Sequence, residues 1–203
     1  MTGPTRHPDR ATLGVRSHSG WAAYVVLAGD AKDPQLLARD RMKLCDSAIA
    51  GSKQPFHEAE PMRFDRAEKF ISRCTASTAG LAAQAIADIQ RQNPVRACCV
   101  LTASGKPLPD LRAVLASHAL IHTAEGEFYR DAIAHACESC RIVVRRVRER
   151  DMENELQKLP VPAAAAKARI AEFGKQIGPP WTQDEKLAAL GAWLMLAVLP
   201  SRH

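Results

Sequence analysis

The feature that most constrains the fold is a short apolar run, VRACCVLTA at residues 95–103, between two long helical patterns. An almost wholly apolar strand is typical of a strand buried on both faces. Before it, apolar residues recur at helical spacing over residues 62–92, and the pattern ends at Asn93-Pro94 because a residue preceding proline disfavours the helical region. After it, a second helical pattern runs from Leu111 to Ala136. The run therefore predicts the interior of an α/β sheet flanked by helices.

The rest of the chain alternates in the same way. Four further stretches have strand-type composition and turn-rich borders, at residues 12–18, 20–29, 35–46 and 141–149. Three more have helical spacing, at residues 152–159, 163–177 and 182–199. The last of them opens with Thr182 and has Glu185 three residues on, which fits a capping box. We predict a meander of three antiparallel strands, then alternating strands and helices, in one domain over residues 12–199 that follows a disordered tail at residues 1–11.

Composition narrows the class of protein. The chain has 203 residues, 46% of them hydrophobic and 25% charged, which is ordinary for a globular domain. A net charge of +6 favours an anionic partner such as nucleic acid, and a homo-oligomer is compatible with the sequence. Aromatic residues make up only 5% and do not alternate with basic ones, which argues against a stacking platform for single strands.

Several sequence features bear on cellular location. The first ten residues, MTGPTRHPDR, lack the apolar segment of a secretion leader, and the most apolar run, Leu187 to Leu199, is too short to span a bilayer. We therefore expect a cytoplasmic protein without a membrane anchor. The six cysteines do not have the spacing of a disulfide framework or a zinc finger, so we expect them to behave as small buried hydrophobes.

The stretch from Leu111 to Ala136 carries three ionisable residues on its apolar stripe. His118, His122 and Glu125 lie at i, i+4 and i+7, so one continuous helix would turn all three toward the sheet, near the end of the first strand. Buried polar groups are costly unless they are partnered. The triplet therefore indicates a catalytic or ligand-binding site, or else an internal polar network. Two imidazoles on one helical face suit zinc or a similar divalent transition ion, whereas without metal the triplet suits general acid–base catalysis.

The order of elements, β-β-β-α-β-α-β-α-α, resembles that of the ribonuclease H-like fold, and three local patterns are similar to RuvC-type Holliday junction resolvases. LGVRSHSGW at residues 13–21 resembles a first strand ILGIDPG that leads to TGW, PVRACCV at residues 94–100 resembles a proline followed by an apolar strand, and QDEKLAALG at residues 183–191 resembles the family's last helix. The resemblance implies a mixed sheet, with a three-strand antiparallel meander plus two parallel strands, flanked by helices.

The sequence departs from the family at its acidic positions. Nucleases of this fold hold two divalent metal ions between carboxylates. The first-strand aspartate of the family falls on Arg16 here, and the glutamate that closes the fourth strand falls near Thr102. The acidic pair of the last helix falls on Gln183 and Lys186, with Asp184 and Glu185 out of phase. The resemblance therefore implies a nucleic-acid-associated protein that lacks the standard two-metal nuclease site.

Two functional hypotheses follow. In the first, a phosphate-binding site forms where the family places its catalytic residues, and it contains Arg16, His18, Trp181, Asp184 and Lys186. In the second, a hydrolase-type enzyme acts on a small or phosphorylated substrate with His118, His122 and Glu125 as catalytic residues, with or without a divalent transition metal. The arginines at 145, 146, 148 and 150 fit phosphate contacts or a charged edge strand equally well. His57, in a proline-bounded loop, fits ordinary surface variation better than function.

Overall fold

A five-stranded mixed sheet forms the centre of the computed structural model, which describes residues 10–103 and 107–200. In chain order the strands are β1 (Ala11–His18), β2 (Trp21–Asp30), β3 (Asp33–Lys43), β4 (Val95–Thr102) and β5 (Val143–Arg148). Their order in the sheet is β3-β2-β1-β4-β5. The meander β1-β2-β3 is antiparallel, whereas β4 pairs parallel with β1 and β5 pairs parallel with β4. The predicted α/β mixed sheet is confirmed.

Helices cover both faces of the sheet. They are α1 (Pro55–Ala59), α2 (Phe64–Gln92), α3 (Leu111–Leu115), α4 (His118–Ser139), α5 (Met152–Leu156), α6 (Ala163–Ile177) and α7 (Gln183–Val198). One core lies between the sheet and the pair α2 and α4, and the second lies between the sheet and the group α5, α6 and α7. Within residues 10–103 and 107–200, no helix combines the length and the apolar character needed to cross a membrane.

Alternation along β1 decides which side chains face which layer. Leu13 and Val15 lie in the core beneath α2 and α4. Thr12 and Gly14 face the opposite layer, where the Thr12 hydroxyl donates to the Ala192 carbonyl of α7 at 2.8 Å. A Cβ atom built on Gly14 would lie 1.8 Å from the carbonyl oxygen of Ala188. Helix α7 therefore rests directly on the backbone of β1, and its residues from 188 to 196 are buried, as the apolar run predicted.

Several predicted boundaries differ from the structure: β3 ends at Lys43 and α5 at Leu156, before the predicted ends at residues 46 and 159, and two further differences are larger in consequence. The stretch from Leu111 to Ala136 is not one helix, because α3 ends at Leu115 and the chain is extended at Ser117 before α4 begins. Serine is a favoured residue at the start of a helix, where its backbone leaves the helical region. Ala11, which we assigned to a disordered tail, is the first residue of β1 and is fully buried. Residues 1–9 of that tail lie outside the described residues.

All six cysteines are free, and four of them, Cys74, Cys98, Cys99 and Cys137, are buried. Burial raises the pKa of the Cys99 thiol to about 12. A hydrogen bond with Cys137, reinforced by burial, raises the pKa of Cys98 well above its ordinary value. These thiols therefore act as packing groups in the two cores.

Candidate functional site

Four charged or titratable side chains meet at the carboxyl end of β1, and we call them the strand-end cluster. Arg16 and His18 come from β1, Glu149 follows β5, and Asp184 lies in the first turn of α7. The Arg16 guanidinium donates from Nε to Glu149 Oε1 at 3.0 Å and from Nη2 to Oε2 at 2.9 Å. Its Nη1 contacts Asp184, whose Oδ1 also lies 2.9 Å from His18 Nε2. The structure thus brings together three of the five predicted phosphate-binding residues and adds Glu149.

The electrostatics of the strand-end cluster depend on one guanidinium between two carboxylates. The hydrogen bond with Glu149 is the largest influence on the pKa of Arg16, which is raised. Burial works to raise the pKa of Asp184, but hydrogen bonds from His18 and Arg16 outweigh it, so this pKa is lowered. The Asp184 carboxylate therefore stays ionised and bound to Arg16 at neutral pH. A divalent cation at this position would have to displace the guanidinium.

The lowered pKa of Asp184 gives a pH-dependent prediction for Asp184→Asn. The ionised carboxylate stabilises the folded protein above its ordinary pKa of 3.8, and this contribution is lost as the pH falls through the lowered pKa. We expect Asp184→Asn to cost about 1–2 kcal/mol near neutral pH, since the group is partly exposed. The difference in melting temperature from the parent should shrink from pH 6 to pH 3. Asp65→Asn, at an exposed position, is the control, and a difference that persists at pH 3 contradicts this assignment.

Basic and aromatic side chains surround the strand-end cluster. The ring of His18 stacks on Trp21 at a centroid distance of 4.5 Å, and the Arg41 guanidinium lies 4.3 Å above the Trp21 ring. Three lysines lie close by. Lys43 is the β3 partner of Trp21, Lys53 approaches Gly20, and Lys186 lines a cavity together with Glu149. Among the described residues none of these lysines forms an ion pair. We call Arg41, Lys43, Lys53 and Lys186 the cationic rim.

Trp181 has a different place from the one we predicted. Its indole Nε1 donates to the Ile170 carbonyl at 3.0 Å, and its ring packs on Gly174, where an added Cβ would lie 2.3 Å from Cδ1. The side chain therefore holds α6 against the start of α7. Glu185 completes the predicted capping box with Thr182 and is 2% exposed. Trp181 therefore offers no free polar group to the cationic rim, whereas Glu185 Oε1 lies 3.9 Å from Nη2 of Arg41.

A second group of side chains, which we call the histidine cluster, contains His57, His118 and His122. One ring nitrogen from each lies within 4.8 Å of the others, and Nε2 of His118 is 3.2 Å from Nε2 of His122. Glu125 lies behind them and is 5% exposed. Its Oε1 accepts hydrogen bonds from the backbone amides of Phe56 at 2.6 Å and His57 at 3.0 Å. The carboxylate thus caps the first turn of α1, where amides lack helical partners.

The predicted orientation of the triplet His118, His122 and Glu125 is wrong for the two histidines. Both are exposed, with 65% of the His118 side chain accessible, and Glu125 alone is buried. The first turns of α4 pack on α1 and α3 through Ile121, and only later residues such as Ile133 reach the sheet. The triplet also lies away from Arg16, because Arg16 points to the α7 face of the sheet and α4 covers the other face.

His57, which the sequence favoured as ordinary surface variation over function, lies beside the two predicted histidines. The structure brings it to the two predicted histidines, with ring centroids 4.7 Å apart for His57 and His122. The pKa of Glu125 is raised, because burial, the largest influence, outweighs the hydrogen bonds from His57 and Phe56. The hydrolase-type site at His118, His122 and Glu125 stays a prediction.

The arginines of β5 are engaged in ion pairs. Arg145 contacts Glu155 at 2.6 Å, Arg146 contacts Asp131 at 2.5 Å, and Arg148 contacts Asp151. β5 is an edge strand, and a row of charged side chains on an edge strand hinders pairing with the strands of other sheets.

Comparison with known proteins identifies the fold. No protein-family model and no curated protein sequence matches the chain. The structure of Thermus thermophilus RuvC in complex with Holliday junction substrate matches with a TM-score of 0.55, 11% identity, and coverage of 91% of this chain and 90% of that one. A second Thermus thermophilus RuvC structure matches with a TM-score of 0.51, 10% identity and 91% coverage of both chains. The fold is RuvC-like. At this identity the likeness establishes the ribonuclease H-like architecture that the sequence predicted.

Proposed function

We propose that this protein binds branched or duplex nucleic acid through the cationic rim, without the standard two-metal nuclease chemistry at the strand-end cluster. The observation that carries the proposal is the group of lysines around the strand-end cluster, which are free of ion pairs among the described residues, together with the Arg41–Trp21–His18 stack. Lysine ammonium groups are compact charges that meet phosphates, and aromatic rings add contact with sugars or bases.

The fold and the charge of the whole chain support the same proposal. The cationic rim lies at the carboxyl end of β1, the end of an open α/β sheet where ligands commonly bind. The matched RuvC structure was solved with a Holliday junction substrate, and this chain has a net charge of +6. A branched DNA is therefore the first ligand to examine.

The donor set at the strand-end cluster does not fit a pair of magnesium ions. Magnesium requires oxygen ligands in octahedral geometry, and the family uses carboxylates for them. Here Glu149 and Asp184 both accept hydrogen bonds from Arg16, and Glu185 is occupied by its capping contacts with Thr182. The guanidinium takes the place of the cation, so we propose recognition of nucleic acid rather than its hydrolysis.

The test is binding to a labelled four-way junction over a range of salt concentrations. We expect affinity to fall steeply with salt, because each neutralised phosphate releases counterions. Combining Lys43→Ala, Lys53→Ala and Lys186→Ala should reduce the slope of log K against log salt by up to about 3. Lys32→Ala, at the β2–β3 turn on the opposite end of the sheet, is the matched control and should leave the slope unchanged. The same junction should remain intact when magnesium is added.

Two outcomes would contradict the proposal. Absence of binding to branched, double-stranded and single-stranded DNA and RNA at low salt would remove nucleic acid as the ligand. Magnesium-dependent cleavage that disappears in Asp184→Ala would show an acidic site rebuilt around α7.

A further inference from the structure

We propose that His57, His118 and His122 bind a single transition metal ion of the zinc class, with Glu125 and Glu60 as the carboxylates that orient two of the three imidazoles. This site is separate from the strand-end cluster and does not depend on the proposed binding of nucleic acid.

The spacing of the ring nitrogens fits a shared ion. Two imidazole nitrogens bound tetrahedrally to zinc at about 2.0–2.1 Å lie about 3.3 Å apart. Nε2 of His118 and Nε2 of His122 are 3.2 Å apart. The nitrogen that His57 contributes lies within 4.8 Å of both. Because all three rings are at least partly accessible to solvent, small side-chain rotations are enough to bring the nitrogens onto one ion.

Two carboxylates lie next to the ring nitrogens that would not bind the metal ion. A metal-binding imidazole commonly donates its other ring N–H to a carboxylate, which fixes the tautomer and orients the ring. Glu125 Oε1 lies 3.3 Å from Nδ1 of His57, and Glu60 Oε1 lies 3.6 Å from Nδ1 of His118. In both residues this arrangement leaves Nε2 for the ion. Exposed histidines that bind no ligand do not require a carboxylate next to the second ring nitrogen.

Glu125 supplies an independent indication of a cation. It is 5% exposed, and its Oε2 has no hydrogen-bond partner among the described residues. A buried carboxylate is costly when one oxygen is left without a partner. A cation bound one imidazole away offsets that cost through the charge it places near Glu125. Capping of α1 accounts for Oε1 alone.

The donor chemistry selects the class of metal. Imidazole nitrogens suit zinc, copper, nickel and iron, whereas magnesium and calcium require oxygen ligands. Three protein ligands with solvent on the open side leave a coordination position for water, as in zinc sites that bind an exchangeable ligand. The three ligands come from α1 and from the first two turns of α4, so a bound ion also holds α1 against α4.

The experiment is titration of the full chain, prepared without a histidine tag, with zinc in the presence of a chromophoric chelator. We expect one zinc ion per chain, and cobalt(II) in its place should show the absorption of a four- or five-coordinate complex. His57→Ala, His118→Ala and His122→Ala should each weaken zinc binding by about 100-fold or more, and Glu125→Gln by about 10–100-fold. Glutamine keeps the oxygen that caps α1, so Glu125→Gln should fold like the parent.

His135→Ala is the matched control. His135 is exposed on the same helix, and its Nδ1 bonds the Asp131 carbonyl at 2.8 Å outside the cluster. Zinc should bind this variant with the affinity of the parent. It should raise the melting temperature of the parent and of His135→Ala, but it should not raise the melting temperature of the three cluster variants. Absence of stoichiometric zinc binding by the folded parent overturns the proposal, as does His57→Ala with unchanged affinity or His135→Ala weakened as much as His122→Ala.

Discussion

Gly14→Ala should prevent stable folding, with a loss of more than about 3 kcal/mol, at or beyond the upper end of the range for overpacking. The added Cβ would lie 1.8 Å from the Ala188 carbonyl oxygen and 2.6 Å from the Ala192 amide nitrogen. Both are backbone atoms of α7, so no side-chain rotation relieves the contact and the whole helix has to shift. Urea denaturation followed by circular dichroism measures the loss.

Gly80→Ala is the control for Gly14→Ala. Gly80 lies inside α2, and a Cβ there meets nothing within 4 Å. Alanine favours the helix over glycine by about 1 kcal/mol, so this variant should be more stable than the parent. A Gly14→Ala variant that unfolds within a few degrees of the parent would mean that α7 does not rest on β1.

Arg16→Asp should make the strand-end cluster depend on a divalent cation. In the parent, Arg16 itself pairs with the two carboxylates of the cluster. The substitution removes the guanidinium from Glu149 and Asp184 and adds a third carboxylate beside them. In metal-free buffer we expect a loss of about 2 kcal/mol or more, since partly buried carboxylates are left without a counter-charge. Magnesium or manganese should restore the melting temperature of the variant and leave the parent unchanged, because only the variant offers three oxygen donors.

Arg16→Asn separates the two effects of that substitution. Asparagine has nearly the size of aspartate and also removes the guanidinium, but it adds no charge. We expect a smaller loss of stability and a weaker response to magnesium. An equal response of both variants, or of the parent, would contradict the view that Arg16 takes the place of a cation. Thermal unfolding with and without the metal ion distinguishes these outcomes.

Much of the fold could be predicted because its signals are local. The apolar run in β4, the proline after Asn93 and the capping box at Thr182 each report on a few neighbouring residues, and those segments form the predicted elements. The break at Ser117 was missed because the apolar spacing continues across it. Periodicity describes a stripe of side chains, and it does not show that the backbone changes direction beneath that stripe.

The candidate sites depend on contacts between distant segments, and local patterns do not contain them. His57 and Glu125 are 68 residues apart, and only the packing of α1 on α4 brings them together. Glu149 and Arg16 are 133 residues apart and meet because β4 pairs parallel with β1 and β5 pairs parallel with β4, so all three strands end on the same side. The helical stripe of α4 predicted that His118 and His122 are buried, but the layer over that end of the helix is the small α1, which leaves both exposed.

The packing of α7 on the backbone of β1 affects how the chain folds during synthesis on the ribosome. Thr12 and its partner Ala192 are 180 residues apart, so the first strand is made long before the helix that covers it. At about 5–20 residues per second, the delay is roughly 10–40 s. During that time β1 and β2 can pair and one core can begin to form under α2 and α4, but the other face of the sheet stays bare. Protection of the nascent chain from aggregation is therefore needed on that face above all.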